Sequence, residues 1–221
     1  MNESFKNILA IDSSTSVLRV GLRLSDGEII SLENEDRFRH AEFIFQLINK
    51  VIKAGSIDRN SLDAIIISTG PGSFTGLRVG LSAAKGLASA LNLPLVGVPI
   101  FNAIAKGLFD SFGRTAVLIP SRRDEFYFGL IESNGFETDN IEIMKTDEVE
   151  SKLNNVNVCG IDFDTSTLCF SNERKINIVD YKTGINDFIS AGIDKLNTKG
   201  GDDLFKIEPF YVQKFIAKKS K

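Results

Sequence analysis

The sequence predicts an α/β fold in which one order of elements occurs twice, and three observations support this prediction. Apolar runs of strand length alternate with amphipathic stretches of helical length along the 221 residues. Both halves of the chain show the order βββαβ. Hydrophobic residues make up 43% and charged residues 25% of the chain, as in ordinary globular proteins. No residue-level repeat accompanies the doubled order, so the inferred duplication depends on the elements alone.

In the first half, three strands precede two helices that alternate with two further strands. Asp26-Gly27 is a strong hairpin signal, because glycine adopts positive φ without a steric cost. Gly55 is well placed to end the first helix, and Pro94 follows the second. The predicted elements are strands at 8–11, 17–24 and 28–32, a helix at 38–54, a strand at 64–68, a helix at 75–91 and a strand at 95–98.

The second half repeats this order less cleanly, after a connecting helix at 99–112. Asn134-Gly135 predicts a hairpin, and Thr146 is predicted to cap a short helix whose first turn is acidic. The other predicted elements are strands at 116–119, 125–131, 141–144, 156–159 and 176–179 and a helix at 185–196. We therefore expect two domains, at residues 1–100 and 101–221.

Composition narrows the class of function. The net charge of −3 argues against a stand-alone nucleic-acid binder, which usually has a basic excess. No apolar run approaches the ~20 residues of a membrane span, and the apolar stretch near the N-terminus is too short for a signal peptide. Cys159 and Cys169 form no C-x-x-C motif, so we expect reduced thiols in a cytoplasmic protein.

A glycine-rich turn leads into the second predicted helix and raises the question of a phosphate site. The segment STGPGSFTGLRVGLSAAKGLA matches neither G-x-x-x-x-G-K-[ST] nor G-x-G-x-x-G, and it lacks the G-x-S-x-G motif of esterases. An anion contact at the start of the helix stays open, because free N–H groups and the helix dipole meet there.

Small residues recur at every fourth position of this helix, at Gly76, Gly80, Ala84 and Ala88. Glycine inside a helix costs about 1 kcal/mol relative to alanine, so a close approach by another backbone is expected to compensate. That backbone belongs either to the protein's own sheet or to a helix of a partner protein.

The first predicted helix has an apolar arc of roughly 200°, about twice the stripe that one sheet face requires. We expect it to be buried on two sides, the second side by a neighbouring helix, a second protein or both. His40, the only histidine of the chain, falls in this arc. We expect a packed, hydrogen-bonded side chain there, because Ile44, four residues on, cannot ligate a metal.

Four segments resemble the bacterial TsaB (YeaZ) family: LAIDSSTSVLRVGL, RHAEFIFQLI, GPGSFTGLRVGLSAAKGLASALNLPLVGV and EPFYVQ. The likeness is strong over about residues 7–105, and the glycine-turn segment is its most specific part. It implies two ribonuclease-H-like subdomains of the actin-like, sugar-kinase and Hsp70 ATPase superfamily, with mixed sheets and flanking helices. In the segment around Arg122, Pro120 stands where family members have an aspartate.

The resemblance further implies a non-catalytic subunit that binds the metal-bearing paralogue TsaD as a heterodimer. With the ATPase TsaE, the two transfer a threonylcarbamoyl group to N6 of the adenosine 3′ of the tRNA anticodon, which is t6A synthesis. No cofactor is expected on this chain alone, whereas ATP or ADP and a metal are expected in the partner complex, through which tRNA binds. A homodimer through the same surface is an alternative, and no membrane contact is expected.

The resemblance places the partner surface on the first two helices. The predicted interface residues are His40, Phe43, Ile44, Leu47, Val51, Gly76, Arg78, Gly80 and Ala84. The superfamily's phosphate-holding hairpin and the glycine turn supply the candidates for a nucleotide or anion contact, which are Asp12, Ser13, Ser14, Thr15, Gly72 and Ser73. Neither a catalytic residue nor a metal ligand is predicted.

Three alternatives remain at this stage. A small phosphotransferase of the same superfamily would use Asp12 and Thr15, and a peptidase of that superfamily would use His40. A plain tRNA-binding module would use Arg122-Arg123 and the lysines near residue 221. The hairpin at residues 12–16 contains no glycine, which disfavours a close approach of phosphate to its backbone.

Overall fold

The structure, a computed structural model, describes residues 5–34, 36, 39–122, 124–133, 135–165 and 176–212. Within these ranges the chain forms two five-stranded mixed sheets, the first from residues before 100 and the second from residues after 114. Helices cover the outer face of each sheet and fill the space between the two sheets.

The strands of the first sheet are β1 (Ile8–Asp12), β2 (Leu18–Arg23), β3 (Ile29–Asn34), β4 (Ala64–Gly70) and β5 (Leu95–Pro99). Their order in the sheet is β3-β2-β1-β4-β5. The first three strands are the predicted antiparallel meander, whereas β4 and β5 continue the sheet from β1 in parallel.

The strands of the second sheet are β6 (Thr115–Pro120), β7 (Glu125–Ile131), β8 (Glu142–Lys145), β9 (Val156–Gly160) and β10 (Ile176–Ile178). Their order is β10-β9-β6-β7-β8, with β6 to β8 antiparallel and β9 and β10 parallel to β6. The second sheet thus repeats the topology of the first, which is the duplication that the element order predicts.

The helices are α1 (His40–Ala54), α2 (Phe74–Leu91), α3 (Ile100–Phe112), α4 (Thr146–Lys152) and α5 (Ile185–Lys199). Helices α1 and α2 lie side by side on the outer face of the first sheet. Helices α3 and α5 contact each other between the two sheets, and α5 packs directly on the first sheet although it follows the second in sequence. Helix α4 covers the outer face of the second sheet.

The two-residue period of the central strands explains this layering. In β1, Ile8 and Ala10 pack towards α3 and α5, while Leu9 and Ile11 pack towards α1 and α2. Each of these four side chains is fully buried. A strand buried on both faces reads as a continuous apolar run, because neither face is left to polar residues.

One local detail differs from the sequence prediction. Thr146 is the first residue of α4 and not its cap, since Lys145 precedes the helix and its N–H donates to the Glu148 carboxylate at 3.0 Å. Asn134 of the predicted hairpin lies outside the described residues, as does Cys169. The domain boundary at residue 100 stays a prediction.

Candidate functional site

The last residue of β1 and the loop that follows it, residues 12–16, are buried where the first sheet meets the helices. None of these five side chains exceeds 3% exposure. The Asp12 carboxylate accepts hydrogen bonds from the N–H and the hydroxyl of Ser14 at 2.9 and 2.6 Å, and Arg19 contacts its other oxygen at 3.2 Å. These bonds fix the loop, because a buried carboxylate is tolerated only when it is paired. We call residues 12–16 the hairpin loop.

The glycine turn brings the start of α2 against the hairpin loop. The Ser73 N–H donates to the Ser14 carbonyl at 2.7 Å, and the Ser73 hydroxyl accepts from the Gly76 N–H at 3.2 Å as the helix cap. A Cβ atom on Gly72 would lie 1.9 Å from the Ser14 carbonyl oxygen, and one on Gly76 would lie 2.4 Å from that of Ser13. The turn therefore lets a helix begin against a neighbouring backbone.

The stripe of small residues in α2 packs inside the protein. Gly76, Gly80, Ala84 and Ala88 are all buried, and a Cβ atom on Gly80 would lie 2.0 Å from the Ser13 hydroxyl oxygen. The prediction that Gly76, Gly80 and Ala84 form a partner surface is therefore wrong for this conformation. Their small size serves the contact of α2 with its own sheet and with the hairpin loop.

Most of the predicted interface residues of α1 are also interior. His40, Ile44, Leu47 and Val51 are at most 6% exposed and pack on the first sheet, so the prediction that their side chains form a surface is wrong as well. The sheet and α2 account for most of the apolar arc. Phe43 is half-buried, and its ring lies 5.0 Å from the Arg39 guanidinium.

A different set of residues on the same two helices is exposed. Phe45 of α1 is 53% exposed, and Ser82, Gly86 and Ala90 form a second stripe of small residues along the outer side of α2. A Cβ atom on Gly86 would meet no atom within 4 Å. No contact inside the described protein compensates for the cost of this helical glycine. We call Phe45, Ser82, Gly86 and Ala90 the outer face.

Arg78, the remaining predicted interface residue, is exposed at the other edge of α2. Its guanidinium lies 3.9 Å from the centre of the Phe74 ring, and its Nε–H donates to the Tyr211 hydroxyl at 3.1 Å. The rings of Phe74 and Tyr211 are 5.5 Å apart. This contact fastens residues 202–212, which run along the edge of β5, to the first turn of α2.

His40 connects α1 to the hairpin loop. Its Nε2 atom lies 3.0 Å from the Thr15 carbonyl oxygen, so that nitrogen carries the proton and donates. Burial lowers the pKa of His40 below its ordinary value, although the carbonyl bond and the carboxylates of Asp12 and Asp162 act in the opposite direction. A neutral imidazole in this position is a structural group, because its donor bonds to the Thr15 carbonyl and the residue is only 3% exposed.

The N–H groups of the three serines in the hairpin loop are engaged within the protein. Those of Ser13 and Ser14 donate to the Ser68 hydroxyl and the Asp12 carboxylate, each at 2.9 Å. That of Ser16 donates to the Asp162 carboxylate at 2.7 Å. A phosphate would have to displace these partners, so the predicted nucleotide or anion contact stays a prediction.

A cleft of about 1430 Å³ separates the hairpin loop and glycine turn from the second sheet. Ser14, Gly72 and Ser73 line it on one side, and Pro120 and Arg122 line it on the other. Pro120 is the last residue of β6. Since proline stands here where family members have an aspartate, the wall of the cleft has no carboxylate at this position. Arg123 lies outside the described residues. Among the residues that are described, no three His, Cys, Asp or Glu side chains are grouped as a metal would require.

Comparison of the sequence with models of known protein families identifies the family of this chain. The model described as "TsaD: tRNA N6-adenosine threonylcarbamoyltransferase" matches residues 36–195, which is more than half of the chain. The chain belongs to this family. Within the TsaD family, it groups with the TsaB/YeaZ proteins.

Two curated relatives are named tRNA threonylcarbamoyladenosine biosynthesis protein TsaB. The one from Haemophilus influenzae is 31% identical over 66% of this chain and 62% of its own length. The one from Escherichia coli is 32% identical over 55% of this chain and 53% of its own length. The chain thus spans about half to three fifths of the length of these two relatives.

Solved structures of this family and beyond show the same fold. YeaZ from Pseudomonas aeruginosa superimposes with a TM-score of 0.77 at 21% identity, over 94% of this chain and 100% of that one. The ethanolamine utilization protein EutJ from Carboxydothermus hydrogenoformans gives 0.53 at 11% identity, over 84% and 88%. The predicted α/β fold class, two subdomains with mixed sheets and flanking helices, is confirmed. Among the described helices of this family member, none is both long and apolar enough to cross a bilayer.

Proposed function

We propose that the chain is a non-catalytic subunit in t6A synthesis, which supports a TsaD paralogue that transfers threonylcarbamoyl to N6 of the tRNA adenosine. The names of the relatives and the match to the TsaD family support a role in t6A synthesis. In this proposal the two chains form a heterodimer, TsaE joins them, and tRNA binds through the complex in the cytoplasm. ATP or ADP and the metal then belong to the complex rather than to this chain alone.

The outer face is the observation that carries the subunit role. Gly86 lies inside an 18-residue helix, and a side chain there would meet open space. Glycine inside a helix costs about 1 kcal/mol relative to alanine. No contact among the described residues of the chain offsets this cost at Gly86. A second helix that packs against Ser82, Gly86 and Ala90 would gain a close backbone approach. Phe45, with 53% of its surface exposed, supplies the apolar anchor of such a contact.

The chemistry of the described residues favours a supporting role over catalysis. The hairpin loop has its serine N–H groups bonded internally, which disfavours a phosphotransferase that uses Asp12 and Thr15. The His40 ring is buried and bonded to a main-chain carbonyl, which disfavours a histidine-dependent peptidase. A catalytic base must lie within reach of a substrate, and His40 is only 3% exposed, which keeps its second ring nitrogen away from the solvent.

Reconstitution tests the proposal. The chain would be co-purified with a TsaD paralogue and then assayed with TsaE, threonylcarbamoyl adenylate and unmodified tRNA for the formation of t6A. We expect a stable heterodimer, and we expect the product to fall at least tenfold when the chain is left out. Formation of t6A by this chain without the paralogue, or full activity of the paralogue without this chain, would refute the proposal.

The docking surface is tested in the same system. Gly86→Leu adds bulk to the outer face and is expected to weaken the heterodimer at least tenfold without changing the fold. Asn197→Leu is the matched control, because it adds the same side chain at an exposed helical position of α5, on the opposite side of the first sheet. Equal affinities of both variants would exclude the outer face as the docking surface. The alternative, a homodimer through the same face, would appear as a dimer of the isolated chain that Gly86→Leu dissociates.

A further inference from the structure

A second cavity, of about 240 Å³, lies where the first sheet approaches the segment between β10 and α5. The first sheet contributes Arg19 of β2 and Glu33 of β3 to its lining, and the segment contributes residues 181–183. Among the described residues, only Asp162 also lines the large cleft. We call this space the small cavity.

The Thr183 hydroxyl in the lining of the small cavity has no partner. Thr183 is 7% exposed, and its Oγ1 atom forms no hydrogen bond with any residue that the structure describes. A buried hydroxyl in this state is costly, because it has lost its bonds to water without gaining others. Such groups are rare in folded proteins, and an occupant that supplies the missing bond explains this one.

Asp187 holds the segment around Thr183 in this conformation. The Tyr181 hydroxyl donates to one oxygen of the Asp187 carboxylate at 2.8 Å, and the Gly184 N–H donates to the other at 2.9 Å. These bonds fasten the residues on both sides of Thr183 to the first turn of α5. The Thr183 hydroxyl is therefore fixed in the cavity wall, which reduces the entropy that a ligand loses for the protein on binding.

The residue of the hairpin loop that lines the small cavity is Thr15, and its hydroxyl is already engaged. It donates to the Val17 carbonyl at 3.1 Å and accepts from the Arg19 guanidinium at 3.1 Å. Both oxygens of the Asp162 carboxylate accept from Ser16. The groups that remain available to a ligand thus come from other parts of the lining.

Charges of both signs surround the small cavity. Its described lining contains two cationic side chains, Arg19 and Lys182, and two carboxylates, Glu33 and Asp162. Lys182 belongs to no ion pair among the described residues. The Arg19 Nε–H donates to Oε1 of Glu33 at 3.1 Å, and no described residue bonds to Oε2. An anion or a cation alone would meet charges of its own sign here, whereas a ligand with both charges would not.

The size of the small cavity also points to a small molecule. Its volume of about 240 Å³ is several times the ~30 Å³ that one water molecule occupies in the liquid. Ile161 and the ring of Tyr181 add apolar surface to the polar lining. Small-molecule sites combine apolar walls with a few polar groups in this way.

We propose that the small cavity binds a small zwitterion of the α-amino acid type. The carboxylate of the ligand accepts from the Lys182 ammonium group and the Thr183 hydroxyl, and the ammonium group of the ligand donates to Oε2 of Glu33. The inference is independent of the proposed subunit role. It gives the unpartnered hydroxyl a partner and uses the two charged groups of the lining that have bonding capacity left.

Three probes of similar shape test the charge requirement. L-alanine carries both charges, propionate lacks the ammonium group, and ethylammonium lacks the carboxylate. Each would be titrated separately into the full chain, and the amide chemical shifts of residues 182–184 would be followed by nuclear magnetic resonance. We expect saturation with L-alanine and a Kd at least tenfold higher for each of the other probes. No saturation with L-alanine, or equal affinity for a singly charged probe, would overturn the proposal.

Thr183→Val tests the hydroxyl, because valine retains the shape of threonine and removes the oxygen. We expect the affinity for L-alanine to fall at least fivefold. Without L-alanine, we expect the urea midpoint to stay at the parent value or to rise, since no bond within the described chain is lost. A lowered midpoint would show that the hydroxyl has a structural partner, and an unchanged affinity would show that it does not contact the ligand. Either result would overturn the proposal.

Thr115→Val is the matched control for that variant. Thr115 is also buried, but its hydroxyl donates to the Gly113 carbonyl at 3.0 Å. We expect Thr115→Val to lower the urea midpoint, because the carbonyl loses its partner, and to leave the affinity for L-alanine unchanged. The two variants should therefore differ in opposite ways in stability and in binding.

Lys182→Gln and Glu33→Gln separate the two charges of the site. Both side chains are exposed, so the variants are expected to fold. We expect each to weaken L-alanine at least tenfold relative to Lys199→Gln, an exposed control at the end of α5 outside the cavity lining. An affinity of either variant equal to that of the control would overturn the assigned contacts.

Discussion

The imidazole of His40 donates a hydrogen bond to the Thr15 carbonyl over 3.0 Å, which ties the first residue of α1 to the hairpin loop. The start of α2 holds the same loop through the bond from Ser73 to Ser14. Asp162 holds it from the opposite side, across the cleft. The hairpin loop is thus the place where the two outer helices, the first sheet and the second sheet meet.

The stability of the protein is expected to fall as the pH drops below the ordinary histidine value of about 6.5. Burial lowers the pKa of His40 in the folded state, so the unfolded chain binds the proton more tightly than the folded one. The contribution of His40 is therefore complete above the unfolded pKa and is lost as the pH falls towards the folded one. Urea midpoints between pH 5.5 and 8 measure this dependence.

The matched variant for that measurement is His40→Gln, which retains an amide donor and cannot titrate. We expect it to lower stability at pH 8, by about 1–3 kcal/mol if the Thr15 carbonyl loses its buried partner. We also expect a flatter pH profile than that of the parent. If the two profiles were parallel, the acid sensitivity would have to come from other groups.

Gly80→Ala is expected to destabilise the fold. A Cβ atom at this position would lie 2.0 Å from the Ser13 hydroxyl oxygen and 2.8 Å from Ser13 Cβ, so either the loop or α2 has to shift. Overpacking of this kind costs about 1–3 kcal/mol. Denaturant unfolding checks it, and the double variant Gly80→Ala with Ser13→Gly should recover part of the loss because the opposing atoms are removed.

Gly86→Ala is expected to stabilise the fold, in contrast to Gly80→Ala. Its Cβ atom meets nothing within 4 Å, and the helical backbone favours alanine over glycine by up to about 1 kcal/mol. The midpoint of denaturant unfolding should therefore rise in the isolated chain. A loss of stability would mean that the outer face is already covered in solution, for instance by a second copy of the chain.

The contrast between Gly80 and Gly86 shows where the sequence analysis was sufficient and where it was not. Spacing alone predicted that α2 contains a stripe of small residues and that another backbone approaches it. It did not identify that backbone, because a stripe packs equally well against a sheet or a helix. The structure assigns Gly80 to the protein's own hairpin loop and leaves Gly86 uncovered.

The strands and helices were predictable because their signals are local. Two-residue and 3.6-residue periods, Gly55 and Asp26-Gly27 gave the elements and their order. The contact between Ser16 and Asp162 was not predictable, because it joins positions that only the complete fold brings together. The wide apolar arc of α1 predicted burial on two sides but did not identify the elements that cover it. In the structure the first sheet and α2 cover most of the arc, and these contacts also depend on the complete fold.

Neighbouring residues of α1 provide the final prediction. Ile44 is 1% exposed and Phe45 is 53% exposed, so the same substitution should act on the core at one position and on the surface at the other. Ile44→Asp buries an unpaired charge and is expected to unfold the protein. Phe45→Asp is expected to keep the midpoint of denaturant unfolding within about 0.5 kcal/mol of the parent value. It should nevertheless abolish co-purification with the TsaD paralogue. A folded Phe45→Asp that still binds the paralogue would place the docking surface elsewhere, and an unfolded one would assign Phe45 to the core of the subunit.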